Sequence, residues 1–535
     1  MSEEKQQKSG STFFGGAAIL AVGILIVKVI SAVYKMPLVN ILGAGYTDFT
    51  AAFNIFNILL MISTAGIPVA VSKMISEANT QGRPNQIRKI FRVAFLFFFA
   101  FGAVCSAVMF LGADGFAALM GDSKAADCMR ALAPSVMLVA GLAVYRGYCQ
   151  GHQHMTPSSI SQIIEALFKL IVGLSLAWYL LKVLGQPDHV GAAGAIVGVT
   201  VSELVALLYM TGEHFHTRKK SPLVGNDRPD STKQILRTCL SLAVPITLTS
   251  SSTSIITAVD NALVMRRLQN AGLFLTENDA RALMSNYTGV QTVYQIPASL
   301  MVAITASVIP AVTICFTKKD RKGAARIVGS SLKTAALIAF PSGVGMVVLG
   351  TPIVKLLFPA LDSSVAGVIL SILGVANIFV CLMLVCNSVL QSHGVLHLPI
   401  VTMLIGGTIM VLADYFMVGT ASINIYGSPV GTCICYGTTC CLDLFIVYRI
   451  VPGCPSFVKV FGKTLLASVI MGGGAWAIYG LIYRATGSNT LGVAVSILAA
   501  VVIYAVLIIA LRVLNKDDLS LMPKGDKIGK LLHIQ

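Results

Sequence analysis

The 535-residue chain is predicted to be an all-α integral membrane protein with about fourteen transmembrane helices. Two observations set this class. Hydrophobic residues make up 56% of the chain and charged ones only 12%, against roughly 25% charged in a soluble domain. The apolar residues also fall in blocks of about 20, which at 1.5 Å per residue match a hydrocarbon core roughly 30 Å thick. Inside lipid every backbone polar group must find an internal partner, so only helices or a closed barrel can span. The blocks are continuous rather than alternating, which excludes the barrel. The net charge of +16 does not point to nucleic acid, because the basic residues lie between the apolar blocks. They set topology instead.

The N-terminus MSEEKQQKSGST is polar. The first apolar stretch reads as a full span rather than a cleavable signal. Spans are expected at residues 14–34, 49–73, 91–112, 132–150, 160–184 and 190–211, and then a basic connector over 212–237. Eight more follow at 238–262, 287–314, 333–352, 366–392, 398–418, 428–448, 461–483 and 490–512. One set of loops holds Arg83, Arg88, Lys89 and Arg92, then Arg218, Lys219 and Lys220, then Lys318, Lys319, Arg321, Lys322 and Arg326. Lys459, Lys463 and the tail lysines 516, 524, 527 and 530 share that side. Lysine and arginine excess marks the cytoplasmic face, so both termini are expected inside.

An internal repeat organises the chain. Ile67-Pro68 closes the second span and Ile309-Pro310 the eighth, 242 positions later. Gln150-Gly151-His152 recurs as Gln391-Ser392-His393 at an offset of 241, and Pro157 as Pro399 at 242. Six spans separate the copies, so the halves keep one orientation and an axis along the membrane normal relates them. The domains read as a cytoplasmic N-terminus (1–13), an N-lobe (14–211), the connector, a C-lobe (238–448), two additional helices (449–512) and a cytoplasmic tail (513–535).

The run GAGYTDFTAAFNIFNILLMISTAGIPVAVSKMISE resembles the second span of bacterial oligosaccharide flippases. Together with VYRGYCQGHQHMTPSSISQIIEALFKL and GVQTVYQIPASLMVAITASVIPAVT, it resembles the stage V sporulation protein B and YtgP branch of the MurJ/MviN-like lipid II flippases. That resemblance covers essentially the whole chain. It implies two six-helix lobes in a V plus two extra helices, a MOP-superfamily fold that carries undecaprenyl-pyrophosphate-linked sugars across the membrane by alternating access. Family members of the MurJ type line their cavity with arginines. Here one first-span basic position is kept as Lys28, a later Arg-Asp pair becomes Tyr34-Lys35, and second-span arginines fall at Ile62 and Ser63. In the eighth span Thr292 and Gln295 replace Arg and Glu.

Ionisable groups within spans cost about 2.5–3.5 kcal/mol each on insertion scales and usually face a cavity or a partner. Lys28 and Lys35 are candidate contacts to a pyrophosphate or acidic sugar, and their bland alternative is snorkelling to the interface. Arg146 could grip phosphate with two parallel hydrogen bonds or simply anchor the cytoplasmic end of its span. Glu165 and Lys169, four apart, are expected to neutralise each other. Glu203 has no local partner in sequence and is a candidate cavity or proton-carrying group. Asn54 and Asn57 share one face of the second span, available to sugar hydroxyls or to interhelical hydrogen bonds. Related flippases bind sodium through the seventh, eleventh and twelfth spans, which makes Asp260, Asp414 and Asp443 candidate oxygen ligands. Cofactors are otherwise not expected.

The twelve cysteines form no CxxC pair and read as small apolar residues. No Walker loop, GxSxG elbow or HExxH motif occurs. The expected function is therefore a lipid-linked oligosaccharide flippase driven by a sodium or proton gradient, by membrane potential or by downstream consumption. The expected setting is a monomer in the bacterial cytoplasmic membrane among membrane lipids and cell-wall synthesis enzymes. The alternative is a MATE-type cation-coupled antiporter, with a non-transporting scaffold as a third class.

Overall fold

The computed structural model describes Gly23 and residues 26–513, except 65, 221–224, 271–275, 318–319, 396, 452, 454–456 and 512. The expected N-terminal segment 1–13, the tail beyond 513, Lys318 and Lys319 lie outside the described residues. Among the described residues there is no strand. The helices are α1 (26–42), α2 (Gly45–Thr64), α3 (Ile67–Thr80), α4 (Pro84–Leu111), the short α5 (Ala113–Met120) and α6 (Ala125–Gly151). The next span is a composite: α7 (Met155–Phe168), a π-helical turn (Lys169–Gly173), α8 (Leu174–Trp178) and a second π turn (Tyr179–Val183). Then come α9 (Asp188–Lys220), α10 (Thr232–Asn270), α11 (Glu277–Thr317), α12 (Arg321–Leu357), α13 (Ser363–Ser392), α14 (Leu398–Val418), α15 (Gly427–Ile450), α16 (Phe457–Thr486) and α17 (Asn489–Ala510).

Eleven segments among the described residues are long and apolar enough to cross a membrane, which makes this an all-α multi-pass membrane protein. They cover the second to sixth and ninth to fourteenth expected spans. The seventh and eighth fall on α10 and α11, and the first, expected at 14–34, lies largely outside the described residues, with only its later part on α1. Large apolar side chains such as Leu111, Phe416, Trp476 and Leu498 point outward. In lipid these faces need no cover.

The expected second span is not one continuous helix. Gly66 separates α2 from α3, and a Cβ there would collide with the backbone of Ala243 on α10. Pro68 stands in the first turn of α3, where its missing N–H costs nothing. Thr64 Oγ1 turns back to the Leu60 carbonyl at 2.6 Å and satisfies a group at the break. The repeat partner Ile309-Pro310 lies inside the continuous α11. By contrast, the Gln-His landmarks mark equivalent places in both halves: α6 ends at Gly151 and α13 at Ser392.

The chain divides into two compact units. The first comprises Met1–Arg266 and Thr276–Ala282; the second comprises Arg267–Leu275 and Leu283–Gln535. Most of α10 therefore groups with the first unit, beyond the 211/238 boundary read from the connector. The connector explains why. Asp227 accepts hydrogen bonds from the backbone N–H groups of Asn85 and Gln86, both at 2.9 Å, at the open start of α4. Asp230 binds Arg83 and Gln86, again at 2.9 Å. So clipped, the connector delivers α10 onto a core of Ile67, Val71, Ile75, Ile87 and Phe98, where Ile235, Cys239 and Ala243 complete the packing. The second unit has its own core from α11, α12, α13 and α15, in which Cys381, Cys386 and Cys440 serve as small apolar side chains.

The composite fifth span lies against α9 through glycine. A Cβ on Gly198 would collide with the backbone of Gly173. A Cβ on Gly173 would come 3.0 Å from the Ala195 carbonyl and 3.2 Å from the Tyr34 hydroxyl. Small residues at such crossings let backbones approach where lipid supplies no hydrophobic drive.

Candidate substrate-binding site

Lys28 and Lys35 are seven residues apart on α1, two helical turns, and so share a face. Lys28 is exposed and Lys35 half-buried. Lys35 lies within electrostatic reach of Lys28 and of Lys169 on the fifth span. Lys169 Nζ stands 5.9 Å from the centre of the Phe53 ring, a cation–π distance. Phe53 belongs to an aromatic row along α2. Its ring lies 4.7 Å from Phe49 and 5.7 Å from Phe56, and Tyr46 stacks on Phe49 at 5.7 Å. The spacing of these residues, three and four apart, puts them along one stripe. Asn54 and Asn57 on the same helix are half-buried. α1, α2 and the fifth span thus bring Lys35, Lys169 and the α2 aromatic rings into one region of the first unit.

One pairing read from sequence is corrected. Glu165 pairs with Arg146 of α6, Nη2 to Oε2 at 2.9 Å, rather than with Lys169. Arg146 Nε also donates to Ser161 Oγ at 3.0 Å. A guanidinium donates along two edges at once, so it holds the serine and the carboxylate one turn apart on α7 together, which an ammonium cannot do with fixed geometry. Glu203 on α9 is 3% exposed and lies within electrostatic reach of Glu165, Lys169 and Arg146. Its Oε2 has no hydrogen-bond partner among the described residues.

The three candidate cation ligands are divided. Asp260 on α10 belongs to the first unit, whereas Asp414 on α14 and Asp443 on α15 belong to the second. Asp443 accepts a hydrogen bond from Thr402 Oγ1 at 2.7 Å. No group of three or more His, Cys, Asp or Glu side chains suited to a metal occurs among the described residues.

A second ionic cluster in the first unit has no counterpart in the motifs read from sequence. Arg281, in the first turns of α11, is fully buried and grips Asp48 of α2 in a two-pronged contact, Nε to Oδ1 at 2.7 Å and Nη2 to Oδ2. Asp122 lies 3.5 Å from Nε and Asp188 3.4 Å from Nη2. Thr47 Oγ1 donates to the Arg281 carbonyl at 2.8 Å. The GAG motif builds this corner. Gly43 takes a φ of +54° to turn the chain, and a Cβ on Gly45 would come 2.7 Å from the Asp188 carbonyl. Glu277 accepts from Ser123 Oγ at 2.6 Å and completes the docking of the 276–282 segment. By span order these residues all lie at the end of their helices opposite the basic connector.

Burial, and next the negative charge of Asp48, push the Asp122 carboxyl up to about 8. The folded protein therefore holds a proton that the unfolded chain releases above about pH 4. Stability is expected to fall as pH rises from about 4 to about 8 and then to level off. Thermal midpoints of purified protein taken across that range check this, and Asp122→Asn should flatten the slope. An unchanged slope in the variant would place the titration elsewhere.

Residues 13–314, more than half the chain, match the family model described as polysaccharide biosynthesis protein. The chain is 25% identical over 527 residues to an uncharacterized membrane protein, YabM, of Bacillus subtilis (strain 168), covering 97% of this chain and 96% of that one. It is 26% identical over 356 residues to lipid II flippase MurJ of the same strain, covering 64% and 65%. It is also 22% identical over 528 residues to that strain's stage V sporulation protein B, covering 97% and 99%. Among solved structures, lipid II flippase MurJ in an inward closed conformation shares the fold at a TM-score of 0.70 and 15% identity, covering 92% of this chain and 98% of that one. An inward-facing MATE transporter of the MOP superfamily follows at 0.64 and 15%, covering 81% and 98%. The chain belongs to the polysaccharide biosynthesis protein family, and it shares its fold with the solved structures of MurJ and of the MATE transporter.

Proposed function

We propose that this protein is a flippase carrying an undecaprenyl-pyrophosphate-linked oligosaccharide, lipid II or a related surface-polymer precursor, across the bacterial cytoplasmic membrane. It is a carrier and not an enzyme. The observation that carries the reading is the basic face of α1, where Lys28 and Lys35 share one side of the helix and Lys35 lies within electrostatic reach of Lys169, whose ammonium stands over the Phe53 ring of the α2 aromatic row. Lysines are compact charges suited to phosphate oxygens. Aromatic rings suit sugar faces, and the amides of Asn54 and Asn57 suit hydroxyls. The relatives named for lipid II flipping and for sporulation support the same substrate class.

The head group enters the first unit's basic region while the prenyl tail stays in lipid, and the carrier then changes the side to which the site opens. Such a ligand moves the carrier only through its preference for one state over the other. Glu203 is a candidate proton carrier, and Asp414 with Asp443 a candidate sodium site, so a gradient of either ion can drive the cycle. Both termini face the cytoplasm by the placement of lysine and arginine. The protein acts as a monomer and passes its substrate to cell-wall synthesis enzymes outside. A MATE-type antiporter shares the fold, but a lysine-bearing face disfavours cationic substrates.

The test is lipid II translocation in proteoliposomes, wild type against Lys28→Ala. Wild type is expected to flip lipid II, and the variant to lose at least about tenfold in rate, the equivalent of one good charge contact. Export of a cationic dye without lipid II movement would replace this reading with the antiporter.

A further inference from the structure

We infer that Lys169 is a third head-group-binding lysine, and that Arg146 is a positioning residue which keeps Glu165 away from it; this rests on the pyrophosphate-lipid reading above. Four observations carry the inference. Lys169 is half-buried, not fully exposed, and faces the Phe53 ring at 5.9 Å. It lies within electrostatic reach of Lys35, which is itself within reach of Lys28, so three ammonium groups gather from two separate spans. Among the described residues no carboxylate lies within ion-pair distance of Lys169, because Glu165 is held by Arg146 and Ser161 lies on the same guanidinium. Finally, Lys169 opens a π-helical turn. Such turns carry one extra residue, cost regular hydrogen bonding and recur at functional sites.

Like charges brought together in a half-buried region repel unless an anion joins them. Glu203 is a carboxylate within electrostatic reach of Lys169, and it is buried on the Ser135 side. With Glu165 tied to Arg146, the gathered lysines suit a pyrophosphate bearing at least two negative charges. Arg146 then acts by charge sorting. Without it, Glu165 is free to pair with Lys169 four residues on, the contact that helical spacing favours. The consequence is that loss of Arg146 weakens anion binding without Arg146 touching the anion.

The experiment measures binding of farnesyl pyrophosphate, a soluble lipid pyrophosphate, to the full-length protein in nanodiscs, with inorganic pyrophosphate and farnesol as controls for the two ends of the probe. Lys169→Ala is expected to weaken binding about tenfold, and Lys169→Arg, which keeps the charge, by less than threefold. Arg146→Ala is expected to weaken it as Lys169→Ala does, whereas Arg146→Ala with Glu165→Gln should recover to within about twofold of wild type. Thermal midpoints within a few degrees of wild type certify each variant as folded. Wild-type binding that Lys169→Ala leaves unchanged would overturn the Lys169 assignment alone. A double variant as weak as Arg146→Ala would make Arg146 a direct contact and overturn the positioning role. Absence of binding by the wild type, while farnesol and pyrophosphate also fail, would remove the pyrophosphate reading and this inference together.

Discussion

Arg281→Gln is expected to destabilise the first unit by about 3–5 kcal/mol, the range found when one partner of a buried ion pair is removed. The reason lies in the acidic groups that depend on it. Arg281 is the single cation that meets Asp48, Asp122 and Asp188 among the described residues, and both it and the first two carboxylates are 0–2% exposed. Deleting the guanidinium leaves buried oxygens facing one another at low dielectric. It also releases the first turns of α11, which the first unit holds through the same side chain and through Glu277. Thermal or denaturant unfolding of the purified protein gives the loss directly. Asp188→Asn serves as the graded control: its side chain is 35% exposed and its contact to Arg281 is long, so a change of about 1 kcal/mol or less is expected. Equal, small losses in the two variants would mean that the cluster contributes little to the fold.

The second large effect is steric. Gly198→Leu places a branched side chain where α9 meets the backbone of the fifth span at Gly173. No rotamer escapes, because the first atom beyond the backbone already collides. The helices must separate along their length, and overpacking of this kind costs about 3 kcal/mol or more. The same separation moves Tyr34, which packs on Gly173, and Lys169, which opens the turn that Gly173 closes. Binding of the lipid pyrophosphate should fall with stability in this variant. Gly480→Leu, at a position where a Cβ would meet open space, is expected to change neither. A Gly198→Leu protein with wild-type midpoint and binding would show that the two spans are not tightly apposed.

Much of the class is legible without coordinates. Apolar block length, loop charge and the Gln-His landmarks depend on local composition, and the structure places helix ends at Gly151 and Ser392 where those landmarks stand. The GAG motif is visible too, but its purpose is not. Gly43 and Gly45 matter through a positive φ and through an approach to Asp188, 143 residues further along the chain from Gly45. Arg281 carries one signal in the sequence: it is a basic residue on the side expected to be poor in them.

Hydropathy, periodicity and motif are enough to determine that the chain spans a membrane as helices and which family it resembles, because both depend on local composition. Partner choice among charges emerges only in three dimensions. Helical spacing offers Glu165 to Lys169, yet an arginine from α6 reaches Glu165 and Ser161 together and takes it. Likewise Asp48, Asp122 and Asp188 come from three segments and acquire meaning only around a guanidinium from a fourth. Ion pairs form at a few ångströms in space, and sequence distance does not measure that separation.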